Sequence, residues 1–404
     1  MVTDDILISA LLKPRCYPHE VSHLQLVETH ISWVILTGDY AYKIKKPVNF
    51  GFLDFSSLEK RHFYCQEELR LNRRLAPELY LEVVAITGSR ESPALAGPGD
   101  VIEYAVKMQQ FTQSQQLDHV LDRDQLTGAQ VDAVAGFLAD FHQSVTPADQ
   151  ASSFGEPEHV YQPVAENFVQ ILQQLPDEAH RGDLASLEIW SRETFNALSA
   201  YIKKRKLDGF VRECHGDMHL RNIAWIDNRP LVFDCIEFNP NLYWIDVIND
   251  IAFLVMDLQD REQQRLAIRL LNVYLEWTGD YHGVKLLRFY LLYRAMVLAK
   301  VNAIRAGQTM VQAERQHAVQ DFDNYVKLGL DYINTGSPML IITHGLSGSG
   351  KSVVSAELAQ QLGAIRIRSD VERKRLYGIR PDASAASANN QGIYTSEATR
   401  RTYD

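Results

Sequence analysis

The sequence predicts an α+β fold of two lobes, a small β-rich one and a larger helical one, followed by the start of an α/β module. Three observations predict it. Residues 1–110 hold β-branched and aromatic runs around one charged helix. Residues 111–333 carry helical periodicity, interrupted by one loop-and-strand insert at Glu213–Glu237. After a linker at 334–338, an apolar run, a glycine-rich loop and an amphipathic helix follow in that order through 339–404.

In the small lobe, Thr37-Gly38-Asp39 is a turn between two runs rich in Val, Ile and Tyr, so a hairpin is expected over roughly Val27–Leu36 and Tyr40–Lys45. Leu58 to Leu75 is apolar at helical spacing and is stopped by Pro77. Leu79–Ile86 and Val101–Met108 are further strands, separated by a turn-rich stretch from Thr87 to Asp100. In the large lobe, helices are expected at Ala129–Gln143, Val164–Leu175, Asp183–Arg205, Tyr243–Leu258, Asp260–Trp277, Val284–Ala306 and Gln312–Ile333. In the last module, Met339–Thr343 reads as a buried strand. Gly345-Leu346-Ser347-Gly348-Ser349-Gly350-Lys351-Ser352 then leads into a helix ending near Leu362.

Composition excludes several classes. The net charge of −10 argues against broad nucleic-acid binding, which needs a basic face. The four cysteines, Cys16, Cys65, Cys214 and Cys235, form no C-x-x-C pair, so neither zinc nor a disulfide framework is indicated. Cys214 and Cys235 read as small buried thiols. The N-terminus lacks a basic signal region. The most apolar long stretch, Val284–Val301, contains Lys285, Arg288, Arg294 and Lys300, too many charges for a membrane span. A cytoplasmic protein is expected, with no nucleic-acid or membrane partner and an oligomeric state that the sequence does not reveal.

The chemistry centres on His215-Gly216-Asp217-Met218-His219-Leu220-Arg221-Asn222. His-x-Asp, four residues and Asn is the spacing of a phosphoryl-transfer loop: the Asp takes the proton of an attacking hydroxyl, and the Asn reaches a Mg²⁺ on the phosphates. A second metal-holding acid should follow on a strand. Leu231-Val232-Phe233-Asp234 supplies it twelve residues past Asn222. Asp217 is thus the candidate base, and His215 its architectural support in the catalytic loop. Asn222 and Asp234 are candidate Mg²⁺ ligands. The same chemistry needs a strand lysine to grip ATP phosphates and a helix glutamate to hold that lysine. Lys43 is the first choice, with Lys45 on the same face by period two; Glu67 and Glu68 both qualify, Glu68 preferred. His219 either contacts substrate or metal-bound water, or faces solvent. Asp246 and Asp250 lie one helical turn apart on one face and read as a cap plus a buried brace. His142 reads as a packing residue.

The second phosphate motif is G-x-x-x-x-G-K-S. Gly345, Gly348 and Gly350 let backbone N–H groups face phosphate oxygens, Lys351 reaches the β- and γ-phosphates, and Ser352 is a Mg²⁺ ligand.

The order of these motifs, from the Tyr42-Lys43-Ile44-Lys45 strand through the Glu helix, His215–Asn222, Asp234 and Asp246-x-x-x-Asp250-Ile251-Ala252, resembles the aminoglycoside phosphotransferase and choline kinase branch of the kinase-like fold over about residues 20–330. The join to a P-loop module is similar to a family of bacterial two-domain proteins, in which such a domain precedes an ATP-binding domain like those of gluconate and shikimate kinases. Glu28–Val34 and Pro47–Phe55 look characteristic of it. The resemblance implies ATP and Mg²⁺ as cofactors and γ-phosphoryl transfer to a hydroxyl of a small molecule. A catalytically silent nucleotide sensor and a kinase acting on a protein side chain are the alternatives. It implies an inter-lobe hinge at Met108-Gln109-Gln110-Phe111, against which adenine stacks. Thr29–Ser32 stands where a Gly-rich loop is expected. About 66 residues follow the linker, where a P-loop kinase domain needs on the order of 150. The module is therefore expected to be incomplete, without its later acidic strand, lid and arginines.

Overall fold

The computed structural model describes residues 2–51, 53–175, 180–334, 336–346, 348–383 and 392–403. Thr335 of the expected linker and Ser347 of the expected P-loop lie outside them. Along the chain the order is α1 (Val2–Leu11), β1 (Gln25–Glu28), β2 (Ser32–Leu36), β3 (Tyr40–Lys45), α2 (Leu58–Asn72), β4 (Tyr80–Gly88), β5 (Pro93–Leu95), β6 (Val101–Gln109) and α3 (Leu117–Asp122). There follow α4 (Gly128–Ser144), α5 (Pro157–Gln174), α6 (Arg181–Leu207), β7 (Val211–Glu213), β8 (Ile223–Ile226), β9 (Arg229–Val232), α7 (Pro240–Tyr243) and β10 (Trp244–Asp246). The last run is α8 (Val247–Asp260), α9 (Gln264–Thr278), α10 (Val284–Gln308), α11 (Gln312–Ile333), α12 (Lys351–Leu362), α13 (Ser369–Leu376) and α14 (Ser396–Tyr403). By contacts the chain divides into two compact units, Met1–Gln125 with His215–Tyr243, and Leu126–Cys214 with Trp244–Asp404.

The first unit is built on a six-stranded antiparallel sheet of order β1-β2-β3-β6-β4-β5. Alternation along β3 decides its two faces. Tyr42 and Ile44 turn into a core with Leu7, Ile8 and Leu11 of α1, while Lys43 and Lys45 point the other way. The expected first hairpin strand, Val27–Leu36, is two strands. Thr29 breaks it: its N–H donates to Ser32 O (2.9 Å) and its hydroxyl accepts from Ser32 N–H (3.0 Å), which folds β1 back on β2. Part of the turn-rich stretch pairs as well, since β5 lies antiparallel on the end of β4. Helix α2 starts where Ser57 accepts from Lys60 N–H (3.3 Å). The insert forms the hairpin β8–β9, whose two loop residues, Asp227 and Asn228, both take positive φ (49° and 60°), the geometry a two-residue hairpin needs.

In the second unit α10 packs on α11, α8 and α5, and α4 on α9. Helix α8 is buried from Val247 to Leu258, polar Asn249, Asp250 and Asp257 included, and forms the centre of this unit. The expected helix from Tyr243 starts later, at Val247. Asp246 ends β10 and caps α8, its carboxylate accepting from Ile248 N–H (2.9 Å); it therefore does not share a helical face with Asp250. Arg205, buried, donates to both Asp246 (2.6 Å) and Asp280 (2.7 Å). His142 bonds Tyr274 OH (2.9 Å) and the Asp250 carboxylate (3.1 Å), so it braces α4 against α8 and α9.

The expected strand Met339–Thr343 does not form. It has no strand partner among the described residues, and Leu340 is 85% exposed. A strand's backbone polar groups need a neighbouring strand, and residues 344–403 supply helices and loops among those described. The helices after it are docked instead on α9. Asn272 donates to Ala364 O (3.0 Å) and accepts from Arg366 N–H (2.6 Å), and buried Glu276 pairs with Arg366 (2.9 Å) and Arg368 (2.7 Å). All four cysteines are buried free thiols, and burial pushes Cys65 up to about 12. No described helix is long and apolar enough to cross a membrane.

Candidate active site

The first unit brings together most of the residues singled out by spacing. Lys43 on β3 lies 2.7 Å from Glu68 Oε1 on α2 and 2.5 Å from Asp234 Oδ1. Glu68 is fully buried, whereas Glu67 turns outward to Arg70 (2.9 Å). The helix glutamate facing the lysines is therefore Glu68. Its second oxygen takes Lys45 (2.7 Å). Burial opposes its charge, but Lys43 and Lys45 outweigh that and hold its carboxyl down at about 2. Burial pulls Lys43 down too; Asp234 and Glu68 overcome it and leave the ammonium well above its usual range.

Asp234 follows β9 with φ 64°, an uncommon backbone state for a non-glycine residue. Two bonds hold the chain there: Asp234 N–H donates to Tyr80 OH (3.1 Å), and Cys235 N–H to Asn72 Oδ1 (2.9 Å). The carboxylate is thereby presented half-exposed to solvent.

The loop His215–Asn222 is tied to the same strand end. Phe233 N–H donates to Asn222 O (3.0 Å), and His215 Nε2 donates to Phe233 O (2.8 Å). His215 is buried, and its Nδ1 accepts from Asp217 N–H (3.2 Å). Both ring nitrogens thus serve backbone, and the residue positions the loop rather than the reacting atoms. Gly216 has φ 87°, and a Cβ there would meet Leu242 O at 2.6 Å, so the turn admits only glycine. Asp217 Oδ2 accepts from Asn222 Nδ2 (3.0 Å) and lies 3.2 Å from His219 Nε2. His219 therefore faces Asp217 rather than solvent alone.

Asn222 spends its Nδ2 on Asp217, and no donor reaches its Oδ1 among the described residues. An amide oxygen and the Asp234 carboxylate, tied to one strand end, form a hard oxygen donor set that fits Mg²⁺. Met108 packs with Phe111 and Phe233 against Tyr80 and Val106. The Phe111 N–H finds no acceptor among the described residues, while those of Gln109 and Gln110 are bonded to Leu79 O and Asp39 O. Gln109, Gln110 and Phe111 border a cavity of about 660 Å³ with Leu36, Leu79, Ile226 and Leu231; Lys43, Asp217, Asn222 and Asp234 do not line it.

Spacing missed Glu237. It is buried three residues past Asp234 and pairs with Lys45. The available signal was a lone acid inside the apolar run Cys235-Ile236-Glu237-Phe238.

The second motif lies in the other unit. Gly348 and Gly350 take positive φ (79° and 83°), and Gly345 lies at 151°. Lys351 folds back on its own loop, donating to Gly345 O (2.7 Å) and Leu346 O. Ser352 begins α12 exposed, its carbonyl accepting from Arg366 (3.0 Å).

Residues 55–287 match the pattern of the phosphotransferase enzyme family, more than half of the chain. The chain belongs to the phosphotransferase enzyme family. Residues 340–404 match an AAA domain, consistent with a P-loop-like module after the kinase-like α+β fold. An uncharacterized protein of Mycobacterium tuberculosis strain H37Rv is 29% identical over 384 residues, 94% of this chain and 74% of the relative. Among solved structures, the choline kinase of Cryptosporidium parvum Iowa II is 12% identical with TM-score 0.48, covering 81% of this chain and 96% of its own. A thermostable mutant of an aminoglycoside phosphotransferase is 15% identical with TM-score 0.46, covering 76% and 95%.

Proposed function

We propose that this protein moves the γ-phosphoryl group of ATP to a hydroxyl of a small molecule, with Mg²⁺. One observation carries the reading: Lys43–Glu68, Asp234 and the Asp217–Asn222 pair share one compact unit, joined through the Phe233 backbone. Phosphoryl transfer asks a protein mostly for positioning and charge, and each requirement has a residue. The Phe111 N–H would donate to a purine ring nitrogen. Lys43 turns its ammonium to the α- and β-phosphate oxygens while Glu68 keeps it charged. Asn222 and Asp234 would hold Mg²⁺, which when bound neutralises charge on the phosphate oxygens. Asp217 orients the acceptor hydroxyl and takes its proton, and His215 holds the loop in shape. Residues 345–352 would cradle a second nucleotide, but this reaction routes no step through them.

The test is transfer of labelled γ-phosphate from ATP into a library of metabolite alcohols, for the full chain and for Asp217→Ala. The variant should lose transfer and keep ATP binding within roughly three-fold, because the base acts on the nucleophile. Near-full turnover in Asp217→Ala removes the base from the scheme. ATP binding with no transfer to any alcohol by the unaltered chain favours a nucleotide sensor.

A further inference from the structure

The strand that carries Lys43 carries a second buried lysine for which the reaction has no use. Each oxygen of the Glu68 carboxylate has its own cation: Oε1 faces Lys43 and Oε2 faces Lys45, both at 2.7 Å. The two lysines differ in what lies beyond. Lys43 is 12% exposed and its other neighbour is the half-exposed Asp234. Lys45 is 1% exposed, is held on its far side by buried Glu237, and lies 4.9 Å from the ring centre of Phe55, itself fully buried. A ligand phosphate can therefore reach Lys43 and cannot reach Lys45.

When Lys43 also engages phosphate oxygens, Glu68 shares that counter-ion with the ligand inside a fully buried site. A buried carboxylate short of cation is costly; it would tend to protonate or pull α2 toward water. Lys45 removes that problem because its own partners do not change with the ligand. We propose that Lys45, backed by Glu237, is a positioning residue that keeps Glu68 and α2 in place while Lys43 engages phosphate. This rests on the reading of Lys43 as the phosphate lysine.

Every protein in the test carries Lys351→Ala in the full chain, which removes the lysine of the second phosphate loop and keeps that loop's contribution the same in every variant. The probes are MgATP and adenosine, with affinities read by calorimetry. Their ratio isolates what the phosphates contribute. Lys45→Met alone strands the buried Glu237 carboxylate and is prone to unfold, so the informative variant is Lys45→Met with Glu237→Gln, which removes the buried pair together. It should melt close to the unaltered protein and bind adenosine equally. Its ATP-to-adenosine ratio should fall roughly ten-fold, the effect of one charge-assisted hydrogen bond. Amide exchange in α2 should rise on adding saturating MgATP to this variant and not to the unaltered protein. Lys45→Gln, which still donates to Glu68, replaces the double variant if that melts early, and is read the same way. An unchanged ratio, with no ligand-dependent exchange in α2, overturns the proposal. Lys43→Met separates the two levels: a ratio unchanged by Lys43→Met sinks the phosphate-lysine reading itself, whereas a ratio that depends on Lys43 but not on Lys45 sinks this inference alone.

Discussion

Glu276→Ala tests how the C-terminal module is attached. Glu276 is buried on α9 and accepts from Arg366 at 2.9 Å and Arg368 at 2.7 Å. Removing one partner of a buried ion pair costs about 3–5 kcal/mol, because the remaining charge is left without compensation. Two features lower that figure. The Arg368 side chain is already 33% exposed and can turn to water. Asn272 keeps its two bonds to the 364–366 backbone. The expected loss is about 2–3 kcal/mol at the attachment, a roughly thirty- to 150-fold larger open population. Native-state amide exchange reads it: α12 and α13 should lose protection by that factor, while α8 and α10 keep theirs, because Glu276 does not hold the α8–α10 core. A change under roughly three-fold in α12 shows that the arginines contribute nothing to attachment. Equal loss in α8 and α10 shows that the module and the helical core unfold as one.

Asn222→Ala and Asp234→Ala should each raise the Mg²⁺ concentration needed for half-maximal transfer, Asp234→Ala more, since it removes an anionic ligand; identical Mg²⁺ titrations in both variants remove the metal roles. Lys351→Ala, and deletion of everything after Gly336, should leave phosphoryl transfer within roughly two-fold, because the catalytic candidates all precede residue 238; steady-state turnover decides, and loss of all activity with Lys351 moves the chemistry to the second loop. Glu68 lies at about 2 in the fold against 4.5 for a free side chain, so its contribution to stability is complete above pH 4.5 and is lost as pH falls toward 2. Urea titrations at pH 5 and 3 should show a smaller acid loss for Glu68→Gln than for the unaltered chain, and equal losses contradict the assigned shift.

The arrangement of the loop was legible in the sequence because it depends on local spacing. His215, Asp217 and Asn222 must sit at fixed offsets for one short turn to carry them, and Asp234 must end a strand. Period two placed Lys43 and Lys45 on one face of β3. Three questions needed the folded chain. Glu67 and Glu68 are neighbours on a helix, and only the packing of α2 against β6 and β4 buries one of them. Glu237 gains its meaning from Lys45, 192 residues away in sequence, and no local pattern records such a pair. Met339–Thr343 has the composition of a buried strand, yet strand formation is a pairing event. Composition determines what a segment would bury, and tertiary structure decides whether a partner exists for its backbone.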